Sequence, residues 1–260
     1  MNAPVDRPRW WGRPLAETRW VLELARLTAD PVFIGGPGLP RGDGRPVVLI
    51  PGFLAGDQTV AVLAGWLWRL GYNARTTGMV ANVDCSDRAL ERVERRVETL
   101  YRRYDRRIAV VGHSRGGHFA RALGARRPDQ VSHAISLGAD LRGLLGISTP
   151  TLYTVAAARM AMRATGRARD ERCLATDCAC GFTRDYTAPF PSDRVRMTSI
   201  YSKGDGVVMW EGAVVPYAEN VEVTGSHVGL VFNRKAYRAI AAALAKSELT
   251  PARALASRRS

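Results

Sequence analysis

The sequence is poor in several residue types that often indicate a function. It contains 4 histidines and 4 cysteines in 260 residues, and lysine occurs only at Lys203, Lys235 and Lys246. It has no run of about 18 apolar residues, so no segment is predicted to span a bilayer. Residues 1–20 lack the continuous apolar region of a secretory signal peptide. We therefore expect a cytoplasmic protein, with peripheral membrane contact as the alternative.

The cysteines do not have the spacing of a metal site. Cys173, Cys178 and Cys180 match no standard zinc motif, and no histidine lies nearby in the sequence. We expect reduced structural thiols, because a chain without an export signal is expected in a reducing compartment. A disulfide within this cluster, or from Cys85 to it, is the alternative. No metal and no cofactor is expected.

Basic residues outnumber acidic residues by 38 to 24, which gives a net charge of +14. Such a surface attracts phosphate groups, nucleic acids and anionic lipids. The basic residues are spread along the chain, however, and no nucleic-acid-binding motif accompanies them. We attribute the charge to a bias toward arginine and expect no specific nucleic-acid partner. Weak contact with anionic membrane surfaces is the alternative, and the sequence predicts no oligomeric state.

Apolar strands and amphipathic helices alternate along most of the chain. The predicted strands cover residues 47–50, 73–77, 108–111, 131–138, 195–201 and 221–223. The predicted helices cover residues 14–28, 60–70, 86–104, 118–123, 151–165 and 229–245, and Ser86 is expected to cap the third. This alternation predicts an α/β fold with a mostly parallel sheet that helices cover on both faces.

The alternation also predicts how the chain is organised. Residues 47–140 and 192–250 form the predicted α/β core, and residues 141–191 interrupt it as an insertion over the strand ends. Residues 1–46 form a helical extension, which we expect to cover one flank of the sheet, and a Gly/Pro-rich connector. The basic residues 251–260 form a frayed tail.

The most informative stretch is residues 108–117. An apolar strand leads directly into the pattern G-x-S-x-G, with Ser114 at its centre, and a helix follows. This context is typical of a nucleophile elbow, in which a tight turn exposes the serine hydroxyl above the sheet. The adjacent glycines permit the sharp turn and the close backbone packing.

A serine nucleophile needs a base within hydrogen-bond reach. His227 lies in the loop between the last predicted strand and the last helix, where an imidazole can approach Ser114. The other histidines are less suited: His113 lies inside the elbow, His118 on the helix that follows, and His133 within a strand. We therefore predict His227 as the base.

The base in turn needs an orienting carboxylate. Asp205 follows a predicted strand in a glycine-flanked turn and precedes His227, as the order of such residues in this type of fold requires. Asp140, directly after an earlier strand, is the alternative. Two backbone N–H groups must also stabilise the oxyanion. We assign them to Arg115 and to Phe53.

The second oxyanion donor has an alternative in Leu54, which follows Phe53 in the same loop. A substrate pocket for an apolar group is also predicted, although its apolar side chains would serve equally well as core. The predicted pocket residues are Leu54, Leu152, Val155 and Met160.

Four motifs, at residues 47–53, 112–117, 201–208 and 225–229, together resemble the α/β-hydrolase superfamily, and most of all bacterial lipases and related esterases. The similarity spans about residues 47–245, with the motifs in the order of that family. It implies a sheet of about six core strands, a triad of Ser114, Asp205 and His227, and a lid formed by the insertion.

Two positions depart from the pattern of these lipases. Pro51 stands where many of them have histidine, and Asp140 lies where they often have a Thr-Pro-His sequence. The first change should leave the chemistry intact, because the oxyanion donor is a backbone amide. The second affects the geometry of the lid and therefore the size of the substrate.

The expected function is a serine hydrolase of carboxylic esters, with a small-molecule or lipid ester as substrate. An acyltransferase or thioesterase with the same triad is the first alternative, because pocket access and not the triad selects the acceptor. A non-catalytic protein that binds membranes or anions on the same fold is the second.

Overall fold

The computed structural model describes residues 11–144, 146–167 and 178–249. Within them six strands form one sheet in the order β2-β1-β3-β4-β5-β6, and all neighbouring strands run parallel. The strands are β1 (Pro46–Ile50), β2 (Asn73–Thr76), β3 (Ile108–His113), β4 (Val131–Leu137), β5 (Arg196–Ser202) and β6 (Glu219–Val223). The predicted parallel sheet is therefore confirmed, and β1, β3 and β4 are buried along their whole length.

Helices cover both faces of the sheet. They are α1 (Pro14–Glu17), α2 (Trp20–Thr28), α3 (Pro31–Ile34), α4 (Ala61–Arg69), α5 (Ser86–Tyr104), α6 (Arg115–Arg126), α7 (Thr149–Ala164), α8 (Gly181–Thr187) and α9 (Arg234–Ala245). Short 3₁₀ turns lie at Asp57–Thr59, Trp210–Ala213 and Val228–Phe232. None of the described helices combines the length and the apolar character needed to cross a membrane.

Each face of the sheet has its own apolar core. On one face, α4 and α9 pack on the strands, and the rings of Trp66 and Tyr237 lie 4.5 Å apart. On the other face, α5 and α6 pack on the strands through side chains such as Leu90 and Phe119. Because β1 and β3 are covered on both sides, they are nearly continuous runs of apolar residues instead of alternating ones.

The predicted helix over residues 14–28 is wrong in one respect. The chain forms two helices, α1 and α2, with a break at residues 18–19. Thr18 Oγ1 donates a hydrogen bond to Leu15 O and so supports the end of the first turn. Both helices approach the carboxyl edge of the sheet, where Arg13 N donates to Gly206 O at 3.1 Å.

The predicted helix over residues 229–245 is also corrected. Residues Val228–Phe232 form a 3₁₀ turn, and α9 begins only at Arg234. The reason is Asn233, whose side chain accepts hydrogen bonds from Lys235 N and Ala236 N and so caps the helix there. Ser86 does not cap α5: Cys85 occupies the cap position, and the Ser86 hydroxyl accepts from Arg115 instead.

The described part of the predicted insertion, residues 141–191, contains α7 and α8. Helix α8 is anchored on the core, because Phe182 and Tyr186 are buried and the ring of Phe182 lies 5.4 Å from that of Phe119. The Tyr186 hydroxyl also donates to Asp140 O at 2.6 Å. Cys173 and the tail at residues 251–260 lie outside the described residues.

Candidate active site

Ser114 occupies the sharp turn between β3 and α6. Its backbone has φ 52° and ψ −122°, a conformation that costs a non-glycine residue about 1–3 kcal/mol. Hydrogen bonds on both sides hold the turn: Ser114 N donates to Leu137 O at 2.7 Å, and Gly117 N donates to Ser114 O at 2.8 Å. The surrounding structure therefore enforces the strained turn that the pattern predicts.

The glycines beside Ser114 are required by close backbone contacts. A Cβ on Gly112 would lie 2.0 Å from Gly116 O, and a Cβ on Gly116 would lie 2.3 Å from Ile50 O. These contacts join the elbow to β1 and to the first turn of α6. Any larger residue would push the three segments apart.

Asp205 and His227 form a buried pair at the same edge of the sheet. His227 Nδ1 lies 2.7 Å from Asp205 Oδ2, and both side chains are nearly inaccessible to solvent. The second carboxylate oxygen of Asp205 accepts hydrogen bonds from Val207 N at 2.8 Å and Val208 N at 2.7 Å. The turn that follows β5 thus fixes the carboxylate, and the carboxylate fixes the orientation of the imidazole.

The surroundings of His227 move its pKa upward. Burial alone lowers the pKa of His227, but the adjacent Asp205 carboxylate outweighs this effect and raises it above 6.5. His113 shows the opposite result: burial, and then the nearby His227, lower its pKa to about 3. The two rings lie 4.8 Å apart, and His113 Nε2 is 2.9 Å from His227 O. His113 therefore stays neutral and supports the His227 loop.

The end of β4 brings the serine and the acid–base pair together. Leu137 O accepts from Ser114 N, and the next residue, Gly138, lies against the pair. A Cβ on Gly138 would be 3.1 Å from Asp205 Oδ2 and 3.3 Å from His227 Nδ1. Within the described residues no hydrogen bond joins Ser114 Oγ to His227 Nε2, and such bonds often tighten only when substrate is bound.

Asp140, the alternative carboxylate, lies in a different environment. Its oxygens accept hydrogen bonds from Arg142 N, Gly143 N and Gly146 N, at 2.8–3.2 Å, and so close the turn that begins the insertion. The described contacts of its carboxylate are therefore structural. The neighbouring His118 is buried, and burial lowers its pKa to about 4. His133 lies buried in β4, with its pKa also lowered to about 4 by burial.

The two predicted oxyanion donors lie beside Ser114. Arg115 is the first residue of α6, and Phe53 lies in the loop after β1; both line the cleft that contains Ser114. Leu54, the alternative donor, has φ 60°, and its amide donates to Asn82 O at 3.3 Å. Among the described residues, the Phe53 amide has no such partner, so it is the better placed of the two.

Asn82 is a functional candidate that sequence analysis did not identify. Its side chain donates to Pro51 O at 2.9 Å, and its main chain pairs with Leu54 and Ala55. The main-chain carbonyl oxygen of Asn82 also accepts a hydrogen bond from the Arg115 guanidinium at 2.8 Å. Asn82 thus connects the loop of Phe53 to the elbow. No local pattern marks such a residue, because all its partners are distant in sequence.

A cleft that is partly open to solvent lies beside Ser114. Most of its lining is apolar, and the apolar side chains come from α7, α8 and the segments that follow β1, β4 and β5. The apolar lining residues are Phe53, Ala139, Leu144, Ile147, Val155, Phe182, Val207 and Val208, and Cys85, Cys178 and Cys180 also contribute.

Of the predicted pocket residues, only Val155 lines this cleft. Met160 is 73% exposed and Leu54 is 54% exposed, and Leu152 is partly buried outside the lining. The periodicity of α7 was insufficient to tell which of its faces meets the cleft. Among the described residues no cluster of three or more histidine, cysteine or acidic side chains is placed to hold a metal ion.

Solved structures with the same architecture include several lipases. The mature lipase BlEst2 of Bacillus licheniformis superimposes with a TM-score of 0.56 at 18% identity, over 80% of this chain and 94% of that one. The monoacylglycerol lipase of Paleococcus ferrophilus gives 0.54 at 16% identity, over 79% and 96%. The chain has the α/β-hydrolase fold.

Another protein with this α/β-hydrolase fold is lipase B of Aspergillus fumigatus, with a TM-score of 0.56 at 16% identity. The match covers 81% of this chain but only 56% of the Aspergillus enzyme, so this chain spans little more than half of that protein. No protein-family model and no curated protein sequence matches the chain. The likeness therefore concerns the fold alone.

Proposed function

We propose that this protein hydrolyses carboxylic esters through an acyl-enzyme formed on Ser114. The observation that carries the proposal is the shared position of three groups at one edge of the sheet. The strained Ser114 turn and the buried Asp205–His227 pair both contact the end of β4. Acyl transfer of this kind needs a serine hydroxyl, an imidazole that accepts its proton, and a carboxylate that orients the imidazole.

In the first half of the proposed reaction, Ser114 Oγ attacks the ester carbonyl carbon while His227 Nε2 takes the hydroxyl proton. The Asp205 carboxylate stabilises the imidazolium that forms. The amides of Phe53 and Arg115 donate hydrogen bonds to the carbonyl oxygen, which becomes an oxyanion. The imidazolium then gives its proton to the alcohol oxygen, the carbon–oxygen bond breaks, and the alcohol leaves.

In the second half, water replaces the alcohol. His227 takes a proton from the water, and the hydroxide attacks the carbonyl carbon of the acyl-enzyme. The tetrahedral intermediate collapses, Ser114 Oγ recovers the proton from His227, and the carboxylic acid is released. The bonds made and broken in the two halves balance, so no cofactor is needed.

The lining of the cleft supports an ester with an apolar acyl group. Phe53, Val155 and Phe182 surround the space beside Ser114, and contacts with apolar groups are what such side chains provide. The solved structures with the same fold include a lipase and a monoacylglycerol lipase, which supports this class of substrate. The insertion, which supplies α7 and α8 to the cleft, is in our proposal a lid over the site.

A panel of p-nitrophenyl esters with increasing acyl length tests the proposal. We expect hydrolysis by the wild type, loss of all but a residual rate in Ser114→Ala, and full activity in the control Ser192→Ala. Removing a serine nucleophile of this type typically lowers kcat by about 10⁶-fold. A fluorophosphonate should label wild-type Ser114, with circular dichroism confirming that each variant is folded.

Retained turnover in folded Ser114→Ala would refute the assignment of the nucleophile. Adding a primary alcohol to the same assay separates hydrolysis from acyl transfer. The free acid as the main product supports a hydrolase, whereas a new ester as the main product favours an acyltransferase with the same triad. Salt-sensitive vesicle binding without any turnover or labelling would favour a binding protein.

A further inference from the structure

The N-terminal segment contributes a carboxylate to the two loops that hold the acid–base pair. Glu17, at the end of α1, accepts hydrogen bonds at Oε1 from Gly206 N at 2.9 Å and from His227 N at 3.0 Å. Its other oxygen, Oε2, accepts from Val228 N at 2.8 Å. One side chain therefore joins the residue after Asp205 to the backbone of His227.

A second carboxylate from the same segment holds the other side of the His227 loop. Glu23, on α2, accepts from Ser226 N at 2.9 Å and from Ser226 Oγ at 2.7 Å. The Ser226 hydroxyl in turn accepts from Gly229 N at 3.1 Å. The two carboxylates thus engage three consecutive backbone amides, from Ser226 to Val228.

Two glycines are required by this contact. A Cβ on Gly206 would lie 2.6 Å from Arg13 O and 2.8 Å from Glu17 Oε1. A Cβ on Gly229 would lie only 1.3 Å from Glu23 Oε2. Glycine at these two positions therefore leaves the space that the Glu17 and Glu23 carboxylates occupy beside the loops of Asp205 and His227.

We propose that Glu17 is a positioning residue for the Asp205–His227 pair, supported by Glu23. This inference rests on the proposed function, since it assigns the imidazole of His227 to Ser114. Glu17 fixes the turn after β5 and the loop after β6 relative to each other, although the two loops come from different strands. A change there alters where the imidazole stands without removing any group that reacts.

The charge of Glu17 adds a second effect. The titratable groups that face His227 are Asp205, His113 and Glu17. Burial lowers the pKa of His227, Asp205 raises it most, and the negative Glu17 raises it further. Because the imidazole becomes positive during the reaction, a nearby fixed negative charge favours the transition state.

The test compares Glu17→Gln, Glu17→Asp and Glu23→Gln with the control Glu219→Gln, which removes an exposed carboxylate paired with Lys246. The readouts are kcat and KM on a short p-nitrophenyl ester, the pH profile of kcat, and the pKa of the His227 imidazole by NMR titration. Thermal unfolding of each variant separates a loss of position from a loss of stability.

We expect Glu17→Gln to lower kcat by about 10- to 100-fold, the loss expected for charge-assisted hydrogen bonds, with KM changed by less than about twofold. The pKa of His227 should fall, because one nearby negative charge is removed. Glu17→Asp keeps the charge but shortens the reach, so it should keep the pKa and lose part of kcat. Glu23→Gln should have a smaller effect than Glu17→Gln.

An unchanged kcat and an unchanged His227 pKa in Glu17→Gln would overturn the inference. So would a fall in kcat explained wholly by unfolding, with a normal pH profile. Should Glu17→Gln fail to fold, Glu17→Asp and Glu23→Gln provide the same comparison. If the wild type neither turns over esters nor reacts at Ser114, the proposed function fails, whereas the NMR titration still tests the link between Glu17 and His227.

Discussion

The nucleophile elbow and the acid–base loops form one site in different ways. The elbow is local: β3, Ser114 and α6 are continuous in sequence, and its hydrogen bonds and glycine contacts involve near neighbours or the adjoining strands β1 and β4. The acid–base part is assembled from distant segments. Asp205 and His227 are 22 residues apart, and Glu17 is 210 residues from His227.

The difference shows where each part is vulnerable. The elbow depends on close packing of backbone segments, because the neighbouring backbone leaves no room for a side chain at its glycine positions. The acid–base part depends on charged and polar contacts between loops, which fix the position of an imidazole. Steric changes should therefore break the elbow together with the fold, whereas polar changes should impair the loops and leave most of the fold intact.

After loss of the serine itself, the largest expected effect concerns the choice of carboxylate. Asp205→Asn should lower kcat by about 10⁴-fold, because the amide stabilises the wrong imidazole tautomer and no longer stabilises the imidazolium. Asp140→Asn, the matched control, should leave kcat within about tenfold and mainly lower stability, because Asp140 closes a turn. Steady-state kinetics with thermal unfolding of both variants checks this. The reverse ranking would move the carboxylate to Asp140.

A steric change should break the elbow. In Gly116→Ala the new methyl group would lie 2.3 Å from Ile50 O, so we expect a loss of about 3 kcal/mol in the free energy of unfolding. Gly65→Ala is the control: nothing lies within 4 Å of its Cβ position in α4, so it should gain about 0.5–1 kcal/mol. Urea unfolding measures both, and equal stabilities would contradict the close packing of the elbow.

A polar change should loosen the loop that carries Phe53, the proposed oxyanion donor. Asn82→Ala removes the hydrogen bond to Pro51 O, and kcat should fall by about tenfold, less than for loss of a donor itself. The control Asn73→Ala removes a similar bond to Gly44 O far from the site, and it should not change kcat. Identical kinetics of the two variants would show that Asn82 does not position Phe53.

The smallest expected effect on activity is that of His133→Asn, which should change the pH dependence of stability and leave that of kcat unchanged. The folded-state pKa of His133 is lowered to about 4, so as pH falls from 6.5 to about 4 the unfolded chain takes up a proton that the folded chain does not. The free energy of unfolding therefore decreases as the pH decreases through this window. His133→Asn should reduce that slope by at most about 1.4 kcal/mol per pH unit.

Activity should follow a different group. The base must be neutral to accept the serine proton, and the pKa of His227 is raised above 6.5. The rate should therefore rise with pH through a value above 6.5, and His133→Asn should leave this limb unchanged. Chemical unfolding and kcat, each measured across the same pH range, provide the test. A shifted activity limb in His133→Asn would contradict the assignment.

The strands, the glycines of the elbow and the order of the chemical groups were all predictable from sequence. These features depend on short stretches, in which apolar runs indicate buried strands and a glycine pattern indicates a tight turn. The lining of the cleft was not predictable in the same way. Val155 reaches it whereas Met160 is exposed, because the rotation of α7 about its axis is set by neighbours outside the helix.

The sequence by itself therefore determined the parallel sheet, the sharp turn at Ser114 and the candidate base at His227. Only the tertiary structure decided that Asp205, and not Asp140, faces His227, and that Glu17 and Asn82 hold the loops around them. The physical reason is the range of the interactions. A turn or a buried strand follows from adjacent residues, whereas a hydrogen bond between distant loops exists only after the chain has packed.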